Sequence, residues 1–134
     1  MKRKTPESAV LKACLDLLAW HKVWHVRLNT VGTRVMQYRS KAGDIRRGVI
    51  RGLPPGTADI LAGPCVRWKC ACCADKPHKI GIFSFLWIEC KRADGKQTAE
   101  QKEFEIEALK HGHYYLVVRD VNELSAWLKD HGAI

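Results

Sequence analysis

Residues 80–91, Ile-Gly-Ile-Phe-Ser-Phe-Leu-Trp-Ile-Glu-Cys-Lys, constrain the fold more than any other stretch of this chain. Rich in Ile, Phe and Trp, the run predicts a buried strand, and only its end carries charge. Side chains two apart on a strand share a face. Glu89 and Lys91 therefore point one way, with Phe85 and Trp87 continuing that face, while Ile88 and Cys90 point the other. An acid and a lysine at the end of a buried strand form either a solvated ion pair worth ~0–1 kcal/mol or part of a site.

The segments around this strand alternate in type. Thr5 as N-cap, Pro6 at the first helical position and Glu7 in the first turn predict a helix over 6–21. Val10, Leu11, Cys14, Leu15, Leu17 and Leu18 form its apolar stripe, and Glu7 stands at the N-terminal end of the ladder through Leu11, Cys14 and Leu18. Alternation around His25 and Arg27 predicts a strand over 23–28. A short strand is expected over 35–38, with the rest of 29–55 a basic loop. The Pro54-Pro55-Gly56 turn leads into a strand over 57–62 that contains Asp59. Residues 63–79 hold Pro64, Pro77 and four cysteines and look like an insertion. Beyond the Asp94-Gly95 turn, Thr98-Ala-Glu-Gln101 is a capping box that opens a helix to about 110, with Gly112 as its stop. A buried strand over 113–118 follows. Asp120-Val-Asn-Glu123 resembles a second box, opening a last helix to about 131. The order is helix, two or three strands, helix, strand, helix. At 134 residues, 46% of them apolar, the chain makes one α/β domain with a central sheet packed by helices.

Lys and Arg outnumber Asp and Glu by 23 to 14, a net charge of +9 that favours a polyanionic partner, of which nucleic acid is the commonest. Arg34, Arg39, Lys41, Arg46, Arg47 and Arg51 face a single acid, Asp44, in one stretch. It is either a solubilising loop or a phosphate-tracking arm, with Arg46, Arg47 and Arg51 the favoured contacts. Glu7, Lys12 and Asp16 interrupt any secretory apolar run after Met1-Lys2-Arg3-Lys4, and no stretch is apolar enough to span a membrane. An intracellular protein with reduced thiols is expected.

Asp59 changes the weight of the Glu-x-Lys pair. Antiparallel pairing of its strand with the one bearing Glu89 would bring two carboxylates together, and carboxylates converge stably only around a cation. Hard oxygen ligands of this kind suit Mg²⁺ or Mn²⁺.

Pro-Gly-Thr-Ala-Asp59, Trp-Ile-Glu89-Cys-Lys91 and the following Gln101 resemble the PD-(D/E)xK nuclease superfamily and, within it, the virus-type replication-repair (VRR-NUC) nucleases. The resemblance runs from Glu7 through 113–118. It implies a single restriction-endonuclease-like domain with a mixed sheet flanked by helices, and a metal-dependent DNA endonuclease. Asp59, Glu89 and the Cys90 carbonyl would bind metal. Lys91 would orient the attacking water, and Glu7 would complete a metal site. Gln101 would face the site, although the capping box alone also explains it. Action on branched DNA such as four-way junctions, a role in repair and a homodimer follow from the same resemblance. A non-catalytic nucleic-acid-binding module on this fold is the alternative.

The cysteine insertion departs from the family pattern. Cys65, Cys70, Cys72 and Cys73, with His78 nearby, are numerous enough for zinc, but Cys-x-Cys-Cys leaves little freedom to aim thiolates at tetrahedral corners. Metal-free thiols are expected there. Cys14 and Cys90 are expected in the core, and Trp68 alone among the tryptophans invites a stacking or association role.

Overall fold

A computed structural model describes residues 5–28, 34–39, 41–50, 53–67 and 81–134. In chain order the elements are α1 (Glu7–Trp20), β1 (Trp24–Arg27), β2 (Arg34–Arg39), β3 (Ile45–Ile50), β4 (Ile60–Gly63), β5 (Cys65–Arg67), β6 (Gly81–Phe83), β7 (Leu86–Cys90), α2 (Ala99–Lys110), β8 (Tyr114–Val118) and α3 (Val121–Asp130).

β7 lies inside a four-stranded sheet of order β1-β4-β7-β8. β1–β4 and β4–β7 are antiparallel and β7–β8 is parallel, so the sheet is mixed. Parallel neighbours need a crossover, and α2 supplies it. Alternation along β7 then divides the molecule. Leu86, Ile88 and Cys90 enter the core with Val10, Cys14 and Leu18 of α1, Ile60 and Ala62 of β4, Val118 of β8, and Leu124 and Leu128 of α3. Burying each large aliphatic side chain stabilises the fold by roughly 1.5–3 kcal/mol. On the other face, Phe104 of α2 meets Trp87 edge-on at 4.9 Å and Tyr115 at 6.2 Å. Among the described residues no helix is long and apolar enough to cross a membrane.

Several boundaries differ from expectation, each for a local reason. Pro6, not Thr5, is the N-cap of α1. Its extended backbone aims the carbonyl at the amides of Ala9 and Val10, at 3.0 and 3.3 Å, which starts the helix without a side-chain cap. The run 80–91 is two strands, because β6 pairs with β5 in a ladder of its own while the Phe85 carbonyl accepts from the Tyr114 amide at 2.8 Å and so begins the main sheet. β2 and β3 form a hairpin where a single short strand and a loop were expected, turned by 41–44 with Gly43 at φ +87°. β4 starts one residue after Asp59. The Asp120 box is only half formed: Asp120 accepts from the Asn122 amide, whereas Glu123 reaches past the N-cap to the Arg119 amide. Arg51, Trp68, Cys70, Cys72, Cys73 and His78 lie outside the described residues.

Candidate active site

The site assembles where the C-terminal end of β7, the residue preceding β4 and the first turn of α2 meet. Ile60 pairs with Ile88, so the next position outward sets Asp59 against Glu89, as antiparallel pairing requires. Asp59 is held from two sides. Its carbonyl accepts from the Leu28 amide at 2.8 Å, and its carboxylate Oδ2 accepts from the Cys90 amide, also at 2.8 Å.

Glu89 is the most buried charged residue described, only 1% exposed. Its Oε1 accepts from Lys91 Nζ at 2.7 Å and from the Gln101 side-chain amide. Its Oε2 is buried and has no hydrogen-bond partner among the described residues. Burial pushes the carboxyl up to about 7; the nearby charges of Asp59 and Glu7 add to that, and Lys91 opposes it. Lys91 is itself buried. The bond from its backbone amide to the Val118 carbonyl, 2.8 Å, continues the β7 ladder one residue, which keeps Lys91 on the Glu89 face. Its ammonium also lies 3.9 Å from the half-exposed Glu7 carboxylate at the start of α1.

Gln101 resolves its two expected roles by taking both. Its Oε1 accepts from the Thr98 amide at 2.9 Å, and the Gln101 amide donates to the Thr98 hydroxyl at 3.3 Å, completing the capping box. The cap fixes the orientation of the side chain, and the remaining NH₂ is thereby directed at Glu89.

The sequence identified the 54–56 turn but gave no sign of what it contacts. Gly56 has φ +84°, and a Cβ there would lie 2.4 Å from the Glu100 carbonyl oxygen. The turn therefore abuts the first turn of α2, bringing Asp59 and Gln101 to the same place; Thr57 closes it through its hydroxyl and amide to the Pro54 carbonyl, at 2.7 and 3.2 Å. Tyr115 was also missed. It pairs with Trp87 across β7–β8, and burial, with Glu89 nearby, raises its phenol. Parallel register decides this neighbour, and no local pattern in the sequence encodes it.

The remaining candidates divide. Cys14 and Cys90 are fully buried core thiols, and Cys65 is exposed and free. Arg46 and Arg47 occupy β3, which pairs with β2 in a sheet separate from the main one. Among the described residues no group of three His, Cys, Asp or Glu side chains is arranged to hold a metal. The carboxylates at the site, Asp59 and Glu89, offer hard oxygens, and the family resemblance adds the Cys90 carbonyl. Mg²⁺ commonly takes just one or two protein carboxylates and completes its shell with water and phosphate oxygens. The orphaned Glu89 Oε2 suits such a ion, and the residues present fit the group. No protein-family model, curated protein or solved structure matches the chain.

Proposed function

We propose that the chain is a divalent-metal-dependent endonuclease of the VRR-NUC type, built on a restriction-endonuclease-like domain and hydrolysing phosphodiester bonds in DNA. The observation that carries the reading is the buried Glu89 carboxylate, with one oxygen bound by Lys91 and Gln101, the other without a hydrogen-bond partner among the described residues, and the Asp59 charge raising its pKa. A structural ion pair has no need of a second converging acid.

Asp59, Glu89 and the Cys90 carbonyl are the groups that would hold Mg²⁺ or Mn²⁺. When bound, the ion lowers the pKa of its water and offsets charge on the phosphate. Lys91 orients the attacking water and stabilises negative charge on the phosphoryl oxygens. Gln101 positions Glu89 from the capped end of α2. Glu7, within reach of Lys91, serves through water or at a second ion. Arg46, Arg47 and Arg51 contact phosphates. Preference for branched substrates such as four-way junctions, a role in DNA repair and a homodimeric state extend the same resemblance.

The want of a third side-chain ligand among the described residues favours one other reading, a non-catalytic DNA-binding module on this fold. Incubation with single-stranded, duplex, flap and four-way-junction DNA, with metal and with chelator, separates the two. Metal-dependent cutting is expected, with Asp59→Ala and Glu89→Ala inactive but folded, and Lys91→Ala binding metal while cleaving poorly. Full activity in all three variants would refute the assigned site, and binding without cutting on every substrate would establish the module.

A further inference from the structure

We propose that the β2–β3 hairpin is a ribbon that enters the major groove of duplex DNA. This rests on the DNA-acting reading and narrows the substrate to one with an intact duplex arm.

The two strands pair from Arg34↔Ile50 to Arg39↔Ile45 and form a sheet of their own. Six residues per strand give a ribbon about 20 Å long, and the major groove, about 12 Å wide, admits a two-stranded ribbon. Along the ribbon, four of the five cations in 34–50 stand in its outer part, Arg39, Lys41, Arg46 and Arg47, against Asp44, and the fifth, Arg34, pairs with Ile50 at the root. Around it, charge is divided. Residues paired across an antiparallel ladder occupy the same face and consecutive residues opposite ones. The Tyr38↔Arg46 pair thus belongs to one face, and Gln37↔Arg47 and Arg39↔Ile45 to the other. A ribbon lying flat on one DNA strand would collect its cations on one face. Cationic positions on both faces suit a place between two phosphate rails, which is what a groove provides.

The roots point to the same use. The chain leaves the sheet after Leu28, whose amide donates to the Asp59 carbonyl at 2.8 Å, and returns through the 54–56 turn to Asp59 itself. Both ends of the excursion that carries the hairpin, Leu28 and the 54–56 turn, therefore meet at Asp59, a proposed metal ligand.

The test is a binding measurement in chelator with the full chain and a duplex of about 20 base pairs. In one arm its cytosines carry glucosylated 5-hydroxymethyl groups, which fill the major groove; in another, the minor-groove ligand distamycin is added. Glucosylation is expected to weaken binding at least about tenfold, as loss of groove contacts does, and distamycin to leave it unchanged. Arg46→Ala and Arg47→Ala, on opposite faces, should each lower the log–log salt slope by about 0.9. Tight binding indifferent to glucosylation, or displacement by distamycin, would overturn the ribbon while leaving a DNA-binding protein. Failure to bind any duplex would overturn the ribbon alone, and the metal-dependent cleavage panel decides the DNA-acting reading beneath it.

Discussion

Glu89 places a pH dependence in the molecule whose direction is fixed by its burial. A carboxyl raised to about 7 binds its proton more tightly folded than unfolded, so its contribution to stability is full in acid and lost as pH rises toward and through 7. The loss is on the order of 3 kcal/mol, at ~1.4 kcal/mol per unit. A divalent cation competes with that proton. Millimolar Mg²⁺ or Mn²⁺ should therefore raise Tm at pH 8 and have little effect at pH 5, with the shift absent in Glu89→Gln; an equal shift at both pH values would remove Glu89 from the ligand set. Gln101 allows its cap and its site role to be separated. Gln101→Glu keeps an acceptor for the Thr98 amide, but sets a second carboxylate against Glu89. The expected result is an intact α2 with the acid limb of the cleavage profile moved to higher pH, whereas Gln101→Ala loses about 1 kcal/mol of cap as well. Much of this was legible beforehand: Glu89 and Lys91 share a face because strands alternate, and Thr98-x-x-Gln101 is a local capping pattern. The extent of Glu89's burial was not, since it depends on α2 folding over β7, a contact between segments with no shared pattern.

Among the elements, the turn over 54–56 holds the site together. Gly56→Ala combines a strained positive φ with a Cβ driven into the Glu100 backbone. It should cost about 2 kcal/mol or more, and it should impair cleavage even where the fold survives, because relief of the clash moves Asp59 away from α2; thermal unfolding and single-turnover cleavage would show both. The helices were readable at nearly full length because a 3.6-residue stripe and a cap are local signals. Pro6 took the N-cap position expected of Thr5 because its extended carbonyl accepts the first helical bonds, and the helix starts at Glu7 without a side-chain cap. The strands were harder. Apolar residues on either side of Ser84-Phe85 look continuous, yet β6 and β7 belong to different ladders, and ladder membership is a long-range fact. β3 was missed because Arg46-Arg47-Gly48 lacks apolar alternation; its strand character comes from pairing with β2.

For the whole molecule, the charge of +9 acts on stability as well as on binding. Self-repulsion is screened once the Debye length falls to about 8 Å near physiological salt. Tm should accordingly rise when neutral salt is added from low ionic strength, while DNA affinity falls; a Tm indifferent to salt would mean that the positive charges are too dispersed to strain the fold. Fold class was legible at this scale because the alternation of helix and strand admits few layerings. The order of strands in the sheet was not, because it depends on which edges meet. β7 carries a further consequence for how freely this chain can vary. Leu86, Ile88 and Cys90 are fixed by the core, Trp87 by Phe104, and Glu89 and Lys91 by each other. A saturation scan should therefore find six successive intolerant positions there, against a tolerance recurring with each helical turn in α1. Natural variants would enter through the exposed helix positions, leaving this strand as the slowest-changing text in the gene.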